Sequence, residues 1–96
     1  MNKNPKPLFP IGRIVATPGA LDLMYRAGVT PWHLLLSHQG GDWGTLAAED
    51  RAANDRAVVE GTRILSAYEL GSGRDKVWII TEADRTVSTL LLPSEY

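Results

Sequence analysis

Residues 63–92 read Arg63-Ile64-Leu65-Ser66-Ala67-Tyr68-Glu69-Leu70, Gly71-Ser72-Gly73-Arg74-Asp75, Lys76-Val77-Trp78-Ile79-Ile80-Thr81-Glu82, Ala83-Asp84-Arg85 and Thr86-Val87-Ser88-Thr89-Leu90-Leu91-Leu92. The first run has period two, with Ile64, Ser66, Tyr68 and Leu70 on one face and Leu65 and Ala67 on the other. Residues 71–75 hold two glycines and read as a five-residue hairpin loop. Residues 76–82 are apolar on both faces, which suits a central strand covered on both sides. Residues 83–85 turn the chain, residues 86–92 form a third strand, and Pro93 ends it because it has no N–H for a ladder. The expectation is a meander with one face covered and the other carrying Ser, Thr, Tyr or Trp groups left partly open.

Upstream the pattern is helical. Thr17-Pro18 and Thr30-Pro31 are N-cap and first-position pairs, since proline there loses no helical bond. Leu21, Met24 and Tyr25 form an apolar face on the first helix, and Gly28 is placed to end it. Trp32, Leu35 and Leu36 supply the buried stripe of the second, which stops at Gly40-Gly41. A third helix over residues 46–60 carries Ala48, Ala52, Ala53 and Ala57 for close approach, a charged wet face, and Gly61 as its cap. Residues 12–16 form a short edge strand or an extended lead-in. Residues 1–10, with Pro5, Pro7 and Pro10, read as an extended arm that Leu8, Phe9 and Ile11 pin to the core. The fold class is α+β: N-terminal helices packed on one face of a three- to four-stranded antiparallel β-meander, with residues 1–96 as a single domain.

Composition narrows the function. A chain of 96 residues supports one modest core, burying roughly 64% of its unfolded surface. It is 44% hydrophobic and 22% charged, as a globular protein is. With no cysteine, it has no disulfide framework, thiolate nucleophile or cysteine zinc site. A net charge of −1 argues against non-specific nucleic-acid binding. No apolar run reaches a membrane span and the start lacks a signal-peptide core, so the expected location is cytoplasmic, with no membrane contact.

His38-Gln39-Gly40-Gly41-Asp42-Trp43-Gly44, Asp50, Asn54, residues 63–68, Trp78-Ile79-Ile80-Thr81-Glu82-Ala83-Asp84-Arg85 and Leu91-Leu92-Pro93-Ser94-Glu95-Tyr96 together carry a likeness. From about Gly12 to Tyr96 the chain resembles a family of small bacterial proteins carried on plasmids, phages and integrated mobile elements. Some members are labelled as the modification subunit of a type I restriction enzyme. A methyltransferase needs a doubly wound sheet, a glycine-rich cofactor loop and a far longer chain, none of which is here. The resemblance implies a genomic context and no particular activity.

Among residues able to do chemistry, His38 stands first: at a helix end beside a glycine break it can serve as general acid or base. Its plainer role is to interact with the helix dipole and the last carbonyls. His33, five residues earlier, points about 140° away, so the two do not share a metal on one face. Asp42 and Trp43 form a candidate contact loop; their plainer roles are turn closure and a core plug. Arg63, Thr81, Glu82, Asp84, Arg85, Ser88 and Thr89 gather on or near the strands, as cross-strand pairs or as a phosphate-binding face.

Two readings follow. The preferred one is a non-catalytic accessory protein of a mobile element that binds a protein partner through Asp42, Trp43, Thr81, Glu82 and Tyr96. It needs no cofactor and no metal. Homodimerisation through the sheet edge or the alanine-rich helix is compatible with it. The alternative is a small metal-independent ribonuclease, like microbial ribonucleases or RelE-like toxins in architecture, with His38 as acid or base and Arg63 and Arg85 on RNA phosphate. Convergence of those three residues in one cleft would favour the enzyme.

Overall fold

The structure, a computed structural model, describes residues 6–71 and 75–96. The elements in chain order are β1 (Arg13–Ala16), α1 (Pro18–Ala27), α2 (Pro31–Gln39), α3 (Ala48–Glu60), β2 (Ile64–Leu70), β3 (Asp75–Thr81) and β4 (Val87–Leu91), closed by a 3-10 turn at Pro93–Glu95. The class is α+β, as expected. Residues 1–5 of the expected arm and residues 72–74 of the expected hairpin loop lie outside the described residues. Asp75 already pairs with Leu70, so it belongs to the strand and not to the loop.

The helix boundaries follow from capping chemistry. Thr17 accepts the Ala20 N–H at 3.2 Å, and Thr30 accepts that of His33 at 3.3 Å. The N–H of Gly28, in the left-handed region, closes α1 onto the Met24 and Tyr25 carbonyls. α3 starts at Ala47 with no side-chain cap, but Glu49 and Asp50 complement its positive end.

The buried faces of α1 and α2 differ from the expectation. α1 buries Ala20, Leu23 and Met24, leaving Leu21 and Tyr25 exposed. α2 buries Leu34, Leu35 and His38, leaving Trp32 and Leu36 exposed. The α1 set keeps the i, i+3, i+4 spacing and the α2 set is spaced i, i+1, i+4, each forming one side of its helix. Their apolar members, Ala20, Leu23, Met24, Leu34 and Leu35, share one core cluster with Tyr68, Leu70, Val77, Ile79 and Leu90. In α3 only Ala57 of the alanines is buried; Ala48, Ala52 and Ala53 are exposed.

The sheet order is β1-β4-β3-β2. β2 with β3 and β3 with β4 are antiparallel, and β3 is interior as its two-sided apolar pattern requires. β1 is parallel to β4, so the sheet is mixed and not a purely antiparallel meander. The three helices between β1 and the meander return the chain so that β4 runs in the direction of β1. Arg13 N–H reaches the Thr86 carbonyl at 2.9 Å and Thr17 N–H reaches that of Leu90 at 3.0 Å.

The free edge of β2 is sealed. Asn54 of α3 donates to the Leu65 carbonyl at 2.7 Å and accepts the Leu65 N–H at 3.2 Å. Ala67 N–H donates to the Trp43 carbonyl, and Thr45 N–H donates back to Ala67. Between those two bonds lies Gly44, at φ 80°, where a Cβ would stand 1.8 Å from the Ala67 carbonyl oxygen. Gly44→Ala should therefore lower stability by about 3 kcal/mol in urea unfolding. A loss under about 1 kcal/mol would mean the 43–45 segment does not seal the edge.

Candidate functional site

The sequence placed its chemistry on His38, and the structure encloses that residue completely. His38 is 0% exposed, at the junction of α2 with three strands. Its Nδ1 lies 2.6 Å from Ser66 Oγ on β2, and its Nε2 lies 2.9 Å from Thr81 Oγ1 on β3. Thr81 Oγ1 is 2.6 Å from Ser88 Oγ on β4, and Ser88 Oγ donates to the Ile11 carbonyl at 2.8 Å. Ser66, Thr81 and Ser88 are also 0% exposed.

Proton counting gives this chain one direction. Ser88 uses its single hydrogen on Ile11, so it accepts from Thr81. Thr81 then accepts from His38, which must carry its proton on Nε2. Nδ1 is left as an acceptor, and Ser66 donates to it. Both nitrogens of the neutral imidazole are thus bonded. Burial holds its pKa down to about 3, and the nearby Arg85 cation pushes the same way. Phe9 and Trp43 close over the ring in T-shaped contacts, at centroid distances of 5.2 and 5.9 Å. A group so enclosed has no route to a substrate.

The three residues of the ribonuclease reading do not form a cleft. Arg85 spends its guanidinium on backbone carbonyls: Nη1 on Thr62 at 2.7 Å and Glu82 at 3.1 Å, Nη2 on Ala57 at 2.9 Å. It caps the end of α3 and lies over the Phe9 ring. Arg63 is exposed, donates to the Tyr96 hydroxyl at 2.8 Å and stands over the Tyr96 ring. Of the expected contact residues, Trp43 and Thr81 are corrected: both are buried, at 3% and 0% exposure. Trp43 plugs the core and donates Nε1–H to Asp55 at 2.9 Å. Asp42 is exposed; its carbonyl accepts the Tyr68 hydroxyl and its carboxylate accepts the Gly44 N–H. Glu82 is half-buried beside the Arg85 turn.

Tyr96 keeps its expected place at the surface, and it brings a partner the sequence reading did not single out. Its ring meets Trp78 in a T-shaped contact with centroids 5.8 Å apart, with Arg63 on its hydroxyl. Beside Trp78 opens a slot of about 320 Å³ lined by Leu46, Asp50, Ala53, Asn54 and Leu65. Strand alternation was the available signal: Trp78 stands opposite in phase to the core residues Val77 and Ile79. Among the described residues no three His, Cys, Asp or Glu side chains are placed to hold a metal ion, and no helix is long and apolar enough to cross a membrane. Compared with protein-family models, curated proteins and solved structures, the chain shows no match.

Two outcomes test this description. His38 binds its proton more weakly folded (about 3) than unfolded (6.5), so the unfolded chain takes up more protons in that window. Stability is then complete above about pH 6.5 and falls by about 1.4 kcal/mol per pH unit below it. Urea unfolding between pH 7 and pH 4.5 should show this slope, and His38→Gln should flatten it while lowering stability throughout. An unchanged slope in the variant would contradict the burial of a neutral imidazole. In EDTA, RNA should stay intact with either wild type or His38→Ala; cleavage that the substitution removes would restore His38 to a catalytic role.

Proposed function

We propose that this chain is a non-catalytic binding module that docks a protein partner on the sheet face opposite α1 and α2, as a cytoplasmic accessory protein of a mobile genetic element. The observation that carries the reading is the Trp78–Tyr96–Arg63 cluster beside its apolar slot. Tryptophan, tyrosine and arginine are the side chains that most often dominate protein–protein binding energy. By register, Leu65, Ala67, Trp78, Ile80, Leu91, Val87, Thr89 and Val15 fall on this face, against the inward set of Ser66, Ile79, Ser88 and Leu90; Ala67, Ile80 and Leu91 are buried there, Leu65, Trp78, Val87 and Thr89 are half-buried, and Val15 is exposed. The helices cover the inward set, and α3 lies along the β2 edge through Asn54. Further support is chemical: His38, the strongest candidate for catalysis, is enclosed and fully bonded. The genomic setting rests on the family resemblance of the sequence.

The test uses the intact chain as bait in a host lysate, followed by affinity measurement with the purified partner. Tyr96→Ala and Arg63→Ala change exposed groups and should leave the fold intact. Each should weaken the partner by roughly tenfold, and Trp78→Ala by roughly 30-fold, the scale of a central anchor. Leu36→Ala, on the exposed side of α2, should leave affinity unchanged. A partner indifferent to all three aromatic-cluster substitutions would refute the proposed surface.

A further inference from the structure

The two edges of the sheet are treated differently. The β2 edge is tied off by Asn54 and the 43–45 segment. β1 lies at the other edge, and Arg13, Ile14 and Val15 are exposed, the last two at 38% and 42%. In its parallel ladder the N–H groups of Arg13 and Thr17 point to β4. The alternate residues Ile14 and Ala16 therefore direct their N–H and C=O groups outward. α1 does not consume them: its first bond runs from Leu21 N–H to the Thr17 carbonyl, and Ala20 N–H goes to Thr17 Oγ1. Thr17 itself is still extended, at φ −75° and ψ 156°. The strand contains neither proline nor lysine, the residues that usually blunt an exposed edge.

Charge lies at both ends of this edge. Arg13 is exposed at the start, and among the described residues it has no carboxylate partner. At the far end the Thr17 hydroxyl donates to Glu95 Oε1 at 2.5 Å, and Gly19 N–H donates to Oε2 at 3.2 Å. The Glu95 carboxylate is thereby fixed beside the end of β1.

We propose that β1 pairs antiparallel with β1 of a second copy of this chain, with Ile14 opposite the partner's Ala16, so that two four-stranded sheets join into one. In this register Val15 faces the partner's Val15 across the two-fold axis, in the closer, non-hydrogen-bonded position. Arg13 faces the partner's Thr17 and so comes next to the carboxylate of the partner's Glu95. The competing register, Ile14 opposite the partner's Ile14, sets Arg13 against an apolar side chain and leaves Glu95 unused. Charge complementarity therefore selects the first. The strand supplies about four intermolecular backbone bonds. Over so small an area, a dissociation constant on the order of 10–100 µM is expected.

Sedimentation equilibrium of the intact chain, from about 5 µM to about 1 mM, tests the pairing over the range this affinity requires. Wild type should pass from monomer to dimer across that range, and exchange of the Ile14 and Ala16 amides should slow as it does. Val15→Lys sets two ammonium groups face to face, and Arg13→Glu sets an acid against Glu95. Each alters an exposed side chain, so urea midpoints should stay unchanged while the dimer weakens at least tenfold. A wild type that remains monomeric at about 1 mM, or a dimer that neither variant weakens, overturns the proposal. Either result leaves partner capture through Trp78 and Tyr96 where it stood, since that binding is read on a different cluster.

Discussion

A neutral imidazole in a closed interior needs a bond at each ring nitrogen, and the satisfaction of His38 orders the rest of this chain. One run of hydrogen bonds crosses from α2 to β2, β3 and β4 and ends on the Ile11 carbonyl. Each hydroxyl in it is buried, so an unmade bond would cost about 1–3 kcal/mol. The strands must therefore keep the register that brings Ser66, Thr81 and Ser88 into line. The same demand sets the rotation of α2. With His38 inward, Leu34 and Leu35 follow it into the core, and Trp32 and Leu36 turn out. The entering chain completes the enclosure: Phe9 stacks near Trp43, Gln39 donates to the Phe9 carbonyl, and Arg85 lies over the Phe9 ring.

This arrangement separates the sheet's two faces by chemistry. The inward face holds the polar run and the larger apolar cluster, both saturated by contacts within the chain. The other face holds Trp78 and Tyr96 with an adjoining slot, so apolar and aromatic surface remains there for another molecule. Residues with the appearance of catalytic groups, His38 and Arg85, are consumed in holding the elements together. That contrast is why the binding reading is preferred over the ribonuclease reading.

Much of the fold was legible because short-range chemistry decides it. Thr17-Pro18, Thr30-Pro31, Gly28 and Gly61 mark helix ends whatever the tertiary context, and period-two alternation marks β2 to β4. The parallel pairing of β1 was not legible, since four residues carry no signal of their neighbour. The helix faces were misread for a physical reason. Both helices carry apolar side chains on more than one side, so spacing alone pointed to Leu21, Tyr25, Trp32 and Leu36, whereas packing in the fold buried Ala20, Leu23 and Leu34. The site misreading was of the same kind. Ser66 was correctly phased with Ile64 and Tyr68, but nothing in one sequence tied it to His38, 28 positions away. Thr81 and Ser88, expected as a cross-strand pair or part of a phosphate-binding face, do bond across β3 and β4, but in the interior, as that histidine's remaining support.

The central claim is that His38 is a neutral structural imidazole with its proton on Nε2. Nitrogen NMR of the ring, followed from pH 7 to pH 4.5 in the folded protein, tests it most directly. The account predicts one unchanging neutral tautomer, protonated at Nε2 and bonded at Nδ1, throughout that range. A ring that titrates near pH 6.5, or that carries its proton on Nδ1, would contradict it.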